Sequence, residues 1–270
     1  MKHDLAKSVL LALSAASLIW IACSSDKTVD SEGNVNNTDF VAEESFSFRV
    51  DVTTHSRLRL EGVSGTVAIT GEEESDSVLV TGERRVGSES MQDAEAHLPL
   101  LQVSVQEIGN EIYVKTTQPQ QTHGRSYVVD YTISLPEGFV VSVSHVTGIV
   151  SISSVKNSVS VNHVTGQVLL DEISGSSVVS LVTGGIEAEV TLPQHGTINF
   201  NLVTGNMDLD IPQSTSAEFS ASVVTGTIST SDLFLQNPVS NPGSLTGTLG
   251  SGEGTILLNV VTGSVNVQGF

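Results

Sequence analysis

Cationic side chains are scarce in this 270-residue chain. Its 11 lysines and arginines face 30 aspartates and glutamates, for a formal net charge of −19. Nucleic acid binding wants a basic footprint, which this balance excludes. Attachment to anionic lipid through a basic patch is excluded on the same ground. Aromatic residues make up only 4% of the chain, too few for a large aromatic core or a sugar-stacking platform. From Gly138 onward they are Phe139, Phe200, Phe219, Phe234 and Phe270. A membrane β-barrel needs aromatic girdles at both interfaces, so the terminal Phe270 does not make this one. The single cysteine, Cys23, rules out a disulfide framework within the chain. What is abundant is valine, serine, threonine and glycine, a mixture that favours pleated sheet over helix.

The position of Cys23 is informative. Lys2 and Lys7 give a basic start, and an apolar run "VLLALSAASLIWIA" extends from Val9 to Ala22. A charged start, an apolar stretch and a small residue before the cut form a secretory signal. The cysteine directly after Ala22 resembles the lipobox of bacterial lipoproteins, with Trp20 where leucine is usual. The resemblance implies removal of residues 1–22 and lipidation of Cys23, so that a lipid holds the chain to a membrane. Ser24 then resembles the sorting pattern of the outer membrane. Residues 23–39 are polar, without apolar periodicity, and read as a flexible tether.

Beyond the tether one turn recurs. "SHVTGIVSIS" at Ser144 is followed by "NHVTGQVLLD", "SLVTGGIEAE", "NLVTGNMDLD", "SVVTGTISTS", "GSLTGTLGSG" and "NVVTGSVNVQ". The pairs are Thr147-Gly148, Thr165-Gly166, Thr183-Gly184, Thr204-Gly205, Thr225-Gly226, Thr246-Gly247 and Thr262-Gly263. Their spacings of 18, 18, 21, 21, 21 and 16 are the period of a solenoid. The flanks alternate in twos: Ile198, Phe200 and Leu202 before the turn, Met207 and Leu209 after it. That is strand patterning, and its phase changes at the turn, where Leu202 and Val203 are both apolar. A corner or bulge at Val-Thr-Gly re-aims the side chains so that both sets are buried. A second connection recurs as "LPEG" at Leu135, "LPQH" at Leu192 and "IPQS" at Ile211. Proline cannot donate a ladder bond, so these mark loops. The pattern predicts an all-β solenoid of 18–21-residue rungs over residues 136–270, seven corners rising roughly 30 Å at the strand spacing.

Residues 40–135 are β-rich but less regular. "VSGTVAIT" at Val63 looks like an early copy of the corner, and "SMQDAEAHLPLL" suits a short helix. This part is expected to cap the solenoid and hide an open sheet edge. The succession "GVSGTVAITG", "VLVTGERR", "LQVSVQEIGNEIYVKT", "VVDYTISLPEGFVVSVSHVTGIVSI" and then the repeats resembles the bacterial putative-adhesin family of domains of unknown function, over residues 40–270. The resemblance implies a β-solenoid in an envelope protein and brings no catalytic residues with it.

The chemistry-bearing residues support a non-enzymatic reading. His145 and His163 each stand two residues before a corner threonine, so on adjacent rungs they would stack about 5 Å apart. They are the metal candidates, but the same column continues as Leu181, Leu202 and Val223, which makes it a packing column. Asp171, Glu187, Glu189, Asp208 and Asp210 point outward as an acidic face that could draw calcium. The calcium-binding glycine-aspartate repeat is missing. Arg84 and Arg85, being adjacent, face opposite sides of a strand. No cofactor is expected. The expected role is a lipid-anchored scaffold or adhesin of the bacterial envelope with a protein or glycan ligand. The alternatives are a carbohydrate-active enzyme on a β-helix and an envelope-stress or assembly factor.

Overall fold

Alternation of apolar and polar residues resolves into fifteen strands in a computed structural model that describes residues 38–270. Cys23, the signal segment and nearly all of the tether lie outside the described residues. Hydrogen bonding joins all fifteen strands into one sheet. Five long strands carry the corners expected of them: β8 (Val140–Ser153), β9 (Val159–Ile173), β10 (Ser177–Val190), β11 (Thr197–Ile211) and β12 (Ala217–Ser231). A sixth, β15 (Gly254–Gly269), closes the chain. All six pair in parallel, with threonine beside threonine and glycine beside glycine.

Each long strand has two legs. In β9, Val159, Val161 and His163 are buried before the corner, and Val168 and Leu170 after it. The buried positions change parity across Val164-Thr165-Gly166, so the solenoid core receives both legs. The pairing register omits the valine: His145 faces His163 and Thr147 faces Thr165, with Val146 and Val164 left out. The corner glycines Gly148, Gly166, Gly184, Gly205, Gly226 and Gly263 have φ between +136° and +145°. A Cβ on any of them would stand 1.6 to 1.8 Å from the carbonyl oxygen of a neighbouring corner glycine. No side chain fits there, whatever its φ tolerance.

The stack does not follow chain order. Its sequence is β8, β9, β10, β11, β15, β12. The carboxy-terminal strand is inserted between β11 and β12, holding Thr262 between Thr204 and Thr225. Side chains fasten it on both sides. Asn266 donates to Asp208 at 2.7 Å and accepts from Ser229 at 2.5 Å. Asn259 donates to Asn201 at 3.0 Å and accepts from Ser222 at 2.7 Å.

One expected corner is corrected. Thr246-Gly247 lies on β14 (Ser244–Leu249), which forms a hairpin with β13 (Leu235–Asn241) and runs antiparallel to β12. Gly247 lacks the positive φ of the corners. The cause is in the intervening residues: Pro238 and Pro242 cannot donate to a ladder, and Gly243 at φ +79° completes a hairpin turn. A seventh corner glycine is supplied instead at the opposite end of the stack, by Gly65 on β3 (Ser64–Glu72), which pairs with Gly148 and has φ +122°. The sheet is therefore continuous across residues 135 and 136.

The first part also builds the far end. β2 (Arg57–Glu61) pairs with the first leg of β8, and β3 with its second leg. β6 (Glu111–Thr117) and β5 (Gln102–Ile108) extend the first leg's side. β7 (Ser126–Pro136), β4 (Ser77–Ser88) and β1 (Phe40–Asp51) extend the second. A seven-residue helix, α1 (Met91–His97), is capped by the Ser90 hydroxyl accepting from the Asp93 N–H. The proline loops are three copies of one turn, in which Pro136, Pro193 and Pro212 carbonyls accept from the N–H three residues on. The loops at Pro193 and Pro212 account for the 21-residue rungs. The 18-residue rungs turn instead through Ser154 and Glu172 at positive φ.

Gly184→Ala is expected to destabilise the protein by more than about 3 kcal/mol, because it adds strain at positive φ to a backbone clash. Gln167→Ser, at the exposed position after a corner, is expected to change stability by less than about 0.5 kcal/mol. Thermal unfolding of the two variants beside the parent checks the difference.

Candidate functional groove

The omitted valines line a concave surface that crosses the rungs. At the corner, two successive side chains point outward. Val146, Val164, Val182, Val203 and Val261 are 43 to 46% exposed, and Val224 is 79% exposed. Stacked in register they form an apolar ridge across the rungs. Beside it runs a polar row two residues earlier in each strand: Ser144, Asn162, Ser180, Asn201, Asn259 and Ser222. Between the rows lies a groove of about 880 Å³. It crosses the strands, so its chemistry repeats at the rung spacing of about 4.8 Å.

Charge enters the groove at one end only. Glu61 and Lys115 are the sole charged residues among its lining. The Tyr113 hydroxyl donates to Glu61 at 2.6 Å and is the main cause that holds this carboxyl below its usual range. Arg59 also donates to Glu61 and lies over the Tyr113 ring, 5.0 Å from its centroid. On a chain of net charge −19, the groove carries one carboxylate, and that one is compensated.

His145 and His163 form part of the groove wall at that end. Their rings stack with centroids 5.4 Å apart and planes 17° from parallel. Each Nε2 lies 3.0 Å from a corner carbonyl, that of Gly65 for His145 and that of Gly148 for His163. An N–H there donates to the carbonyl, which commits Nε2 to structure. Two parallel rings whose Nε2 atoms face different carbonyls offer no common focus for a metal ion. Nδ1 of His145 is buried without a partner, and the missing Cβ of Gly62 leaves it room.

The acidic residues divide. Glu187 lies beside Asp208, and Glu189 beside Asp210. Asp171 stands next to Ser153 on one side and, on the other, falls in the bulge opposite Glu189. Among the described residues, no three histidine, cysteine or acidic side chains converge closely enough to share a metal ion. Arg84 pairs with Glu44, and Arg85 with Asp130. Among the described residues every lysine and arginine except Arg57 is in an ion pair. The valine ridge was not singled out from sequence. Its signal was present in the repeated apolar residue directly before each corner threonine, at the point where the buried parity changes.

A family model spans residues 34–268. The chain belongs to the Toastrack DUF4097 family. Among solved structures, the Toastrack chain is similar to a putative cell adhesion protein from Clostridium sporogenes, at 12% identity and TM-score 0.50, covering 84% of this chain and 100% of that one. It is also similar to a putative adhesin from Bacteroides fragilis, at 14% identity and TM-score 0.32, covering 84% and 97%. The first likeness shows a shared fold. No curated protein matches the chain. No helix of the described Toastrack residues is long and apolar enough to cross a membrane.

Burial holds the His145 imidazole below its ordinary value of 6.5. The unfolded chain therefore binds a proton at this ring more readily than the folded one, and stability is lost as pH falls below that ordinary value. His145→Leu, which continues the leucine column, is expected to gain stability relative to the parent between pH 7.5 and 5.5. Thermal midpoints across that range check this, and a constant difference would count against it.

Proposed function

We propose that this Toastrack protein is a lipid-anchored, non-enzymatic protein of the bacterial envelope that presents the valine groove as an adhesin-like interaction surface. The observation that carries the reading is the groove itself. It is long, repetitive and almost uncharged, on a chain of net charge −19. Its apolar ridge and amide-hydroxyl row suit an extended ligand, a polypeptide segment or a glycan, read at each rung. The fold shared with a putative cell adhesion protein supports the same direction. Among the described residues, ion pairing of nearly all the cations leaves little to stabilise an anionic transition state. The lipobox-like Ala22-Cys23 supports anchoring, and Ser24 supports the outer membrane.

Two tests follow. Cys23→Ser is expected to move the protein out of the outer-membrane fraction, and unchanged processing and fractionation would contradict the anchor. Val182→Asp, at an exposed ridge position, is expected to keep the parent's thermal midpoint and lose the partner captured by crosslinking intact envelopes. Retention of that partner would remove the groove as the binding surface.

A further inference from the structure

Folding one sheet into two leaves creates four terminal edges. On the first leaf they are β5 and β13, and on the second they are β1 and the second leg of β12. Native proteins blunt such edges with charge, proline or bulges, because unpaired N–H and C=O groups template further strands. Three of the four are blunted. β1 carries Glu43, Glu44, Arg49 and Asp51. β5 carries Glu107. β13 contains Pro238 and an irregular register between Gln236 and Val239.

The fourth edge has no such device. β12 pairs with β15 along its whole length, but β14 covers only Ala217–Ser222 on the other side. Among the described residues, the outward backbone of Thr225–Ser231 has no partner. The sequence there, Thr-Gly-Thr-Ile-Ser-Thr-Ser, has no charge and no proline, and the one carboxylate next to it in sequence is the exposed Asp232 directly after Ser231. The two most exposed large apolar side chains of the described residues flank it: Val224 at 79% and Phe234 at 81%. The acidic columns also end before it. Glu187 and Asp208 give way to Asn266 and then Ser229, while Glu189 and Asp210 give way to Gln268 and then Ser231.

We infer that Thr225–Ser231 is a self-association edge that pairs antiparallel with the same segment of a second copy about a twofold axis. Charge selects the occupant. Two chains of net charge −19 approach each other only where the carboxylates are missing, and this edge is such a place. A twofold axis makes the contact self-complementary and consumes both free edges, so association stops at two. Thr225 then opposes Ser231 and Thr227 opposes Ser229, with Gly226 against Thr230 and Ile228 near the axis. Seven residues of strand pairing fall short of the roughly 800 Å² per partner usual in stable complexes. Val224 and Phe234 enlarge the contact with apolar area. This contact shares Val224 with the last rung of the groove's ridge, but its strand pairing lies outside the groove and does not require the groove's ligand.

The test is the oligomeric state of the full chain in mild detergent, by light scattering over a wide concentration range. The parent is expected to be a dimer. Thr227→Glu places like charges across the axis and is expected to weaken association at least tenfold. Gln167→Glu, at the same column of a central rung, is expected to leave it unchanged. Circular dichroism melts establish that both variants fold, and Phe234→Ser gives a second, uncharged probe that is also expected to weaken the dimer. A monomeric parent would overturn the inference, as would a dimer indifferent to both Thr227→Glu and Phe234→Ser. Hydrogen exchange that finds Thr225–Ser231 equally protected in a monomer would assign the edge to another segment of the same chain, and would overturn it too.

Discussion

Each corner glycine of the stack lies against the backbone carbonyl of the next, closer than any Cβ could stand. The rest of the structure depends on that approach. It fixes the register, because only glycine can face glycine. It fixes the phase of burial, because the backbone at φ near +140° turns the strand so that alternating residues before and after the corner reach the same core. It also pushes the preceding valine and threonine outward together. The groove is therefore a by-product of the packing requirement: a ridge of valines is the outer surface of a column of glycines.

Much of this was legible in the sequence. The repeated Thr-Gly, the near-20-residue period and the change of parity between Leu202 and Val203 specify a stacked corner, and the proline loops mark the second turn of the longer rungs. The order of the rungs was not legible. Every repeat carries the same columns, so Thr225 could follow Thr204 as well as Thr262 does, and local pattern has no means to choose. The choice is made by side chains on β15 and its neighbours, Asn259 with Asn201 and Ser222, and Asn266 with Asp208 and Ser229. Thr246-Gly247 misled for a related reason. The dipeptide matched, but two prolines nearby had already committed its segment to a hairpin at the edge.

The histidines show how a residue type that suggests chemistry can be absorbed by architecture. In the column that elsewhere holds Leu181, Leu202 and Val260, His145 and His163 fill the same volume and add an N–H to a corner carbonyl. Their position beside the only charged end of the groove gives that end a polarity the other rungs lack. The two ends of the stack also differ: antiparallel strands and a capped helix close the first, while the β13–β14 hairpin covers the first leg of β12 at the second and leaves its neutral second leg as an open edge.

The most direct measurement of the corner stack is pairwise disulfide formation between corner threonines in a Cys23→Ser background. Thr204→Cys with Thr262→Cys places thiols on neighbouring rungs, within reach of a disulfide, whereas Thr204→Cys with Thr225→Cys places them two rungs apart, beyond it. Rapid oxidation of the first pair with the second remaining reduced is the expected result. Oxidation of the Thr204 and Thr225 pair, with the Thr204 and Thr262 pair inert, would contradict the order of the stack and the register that the glycine column sets.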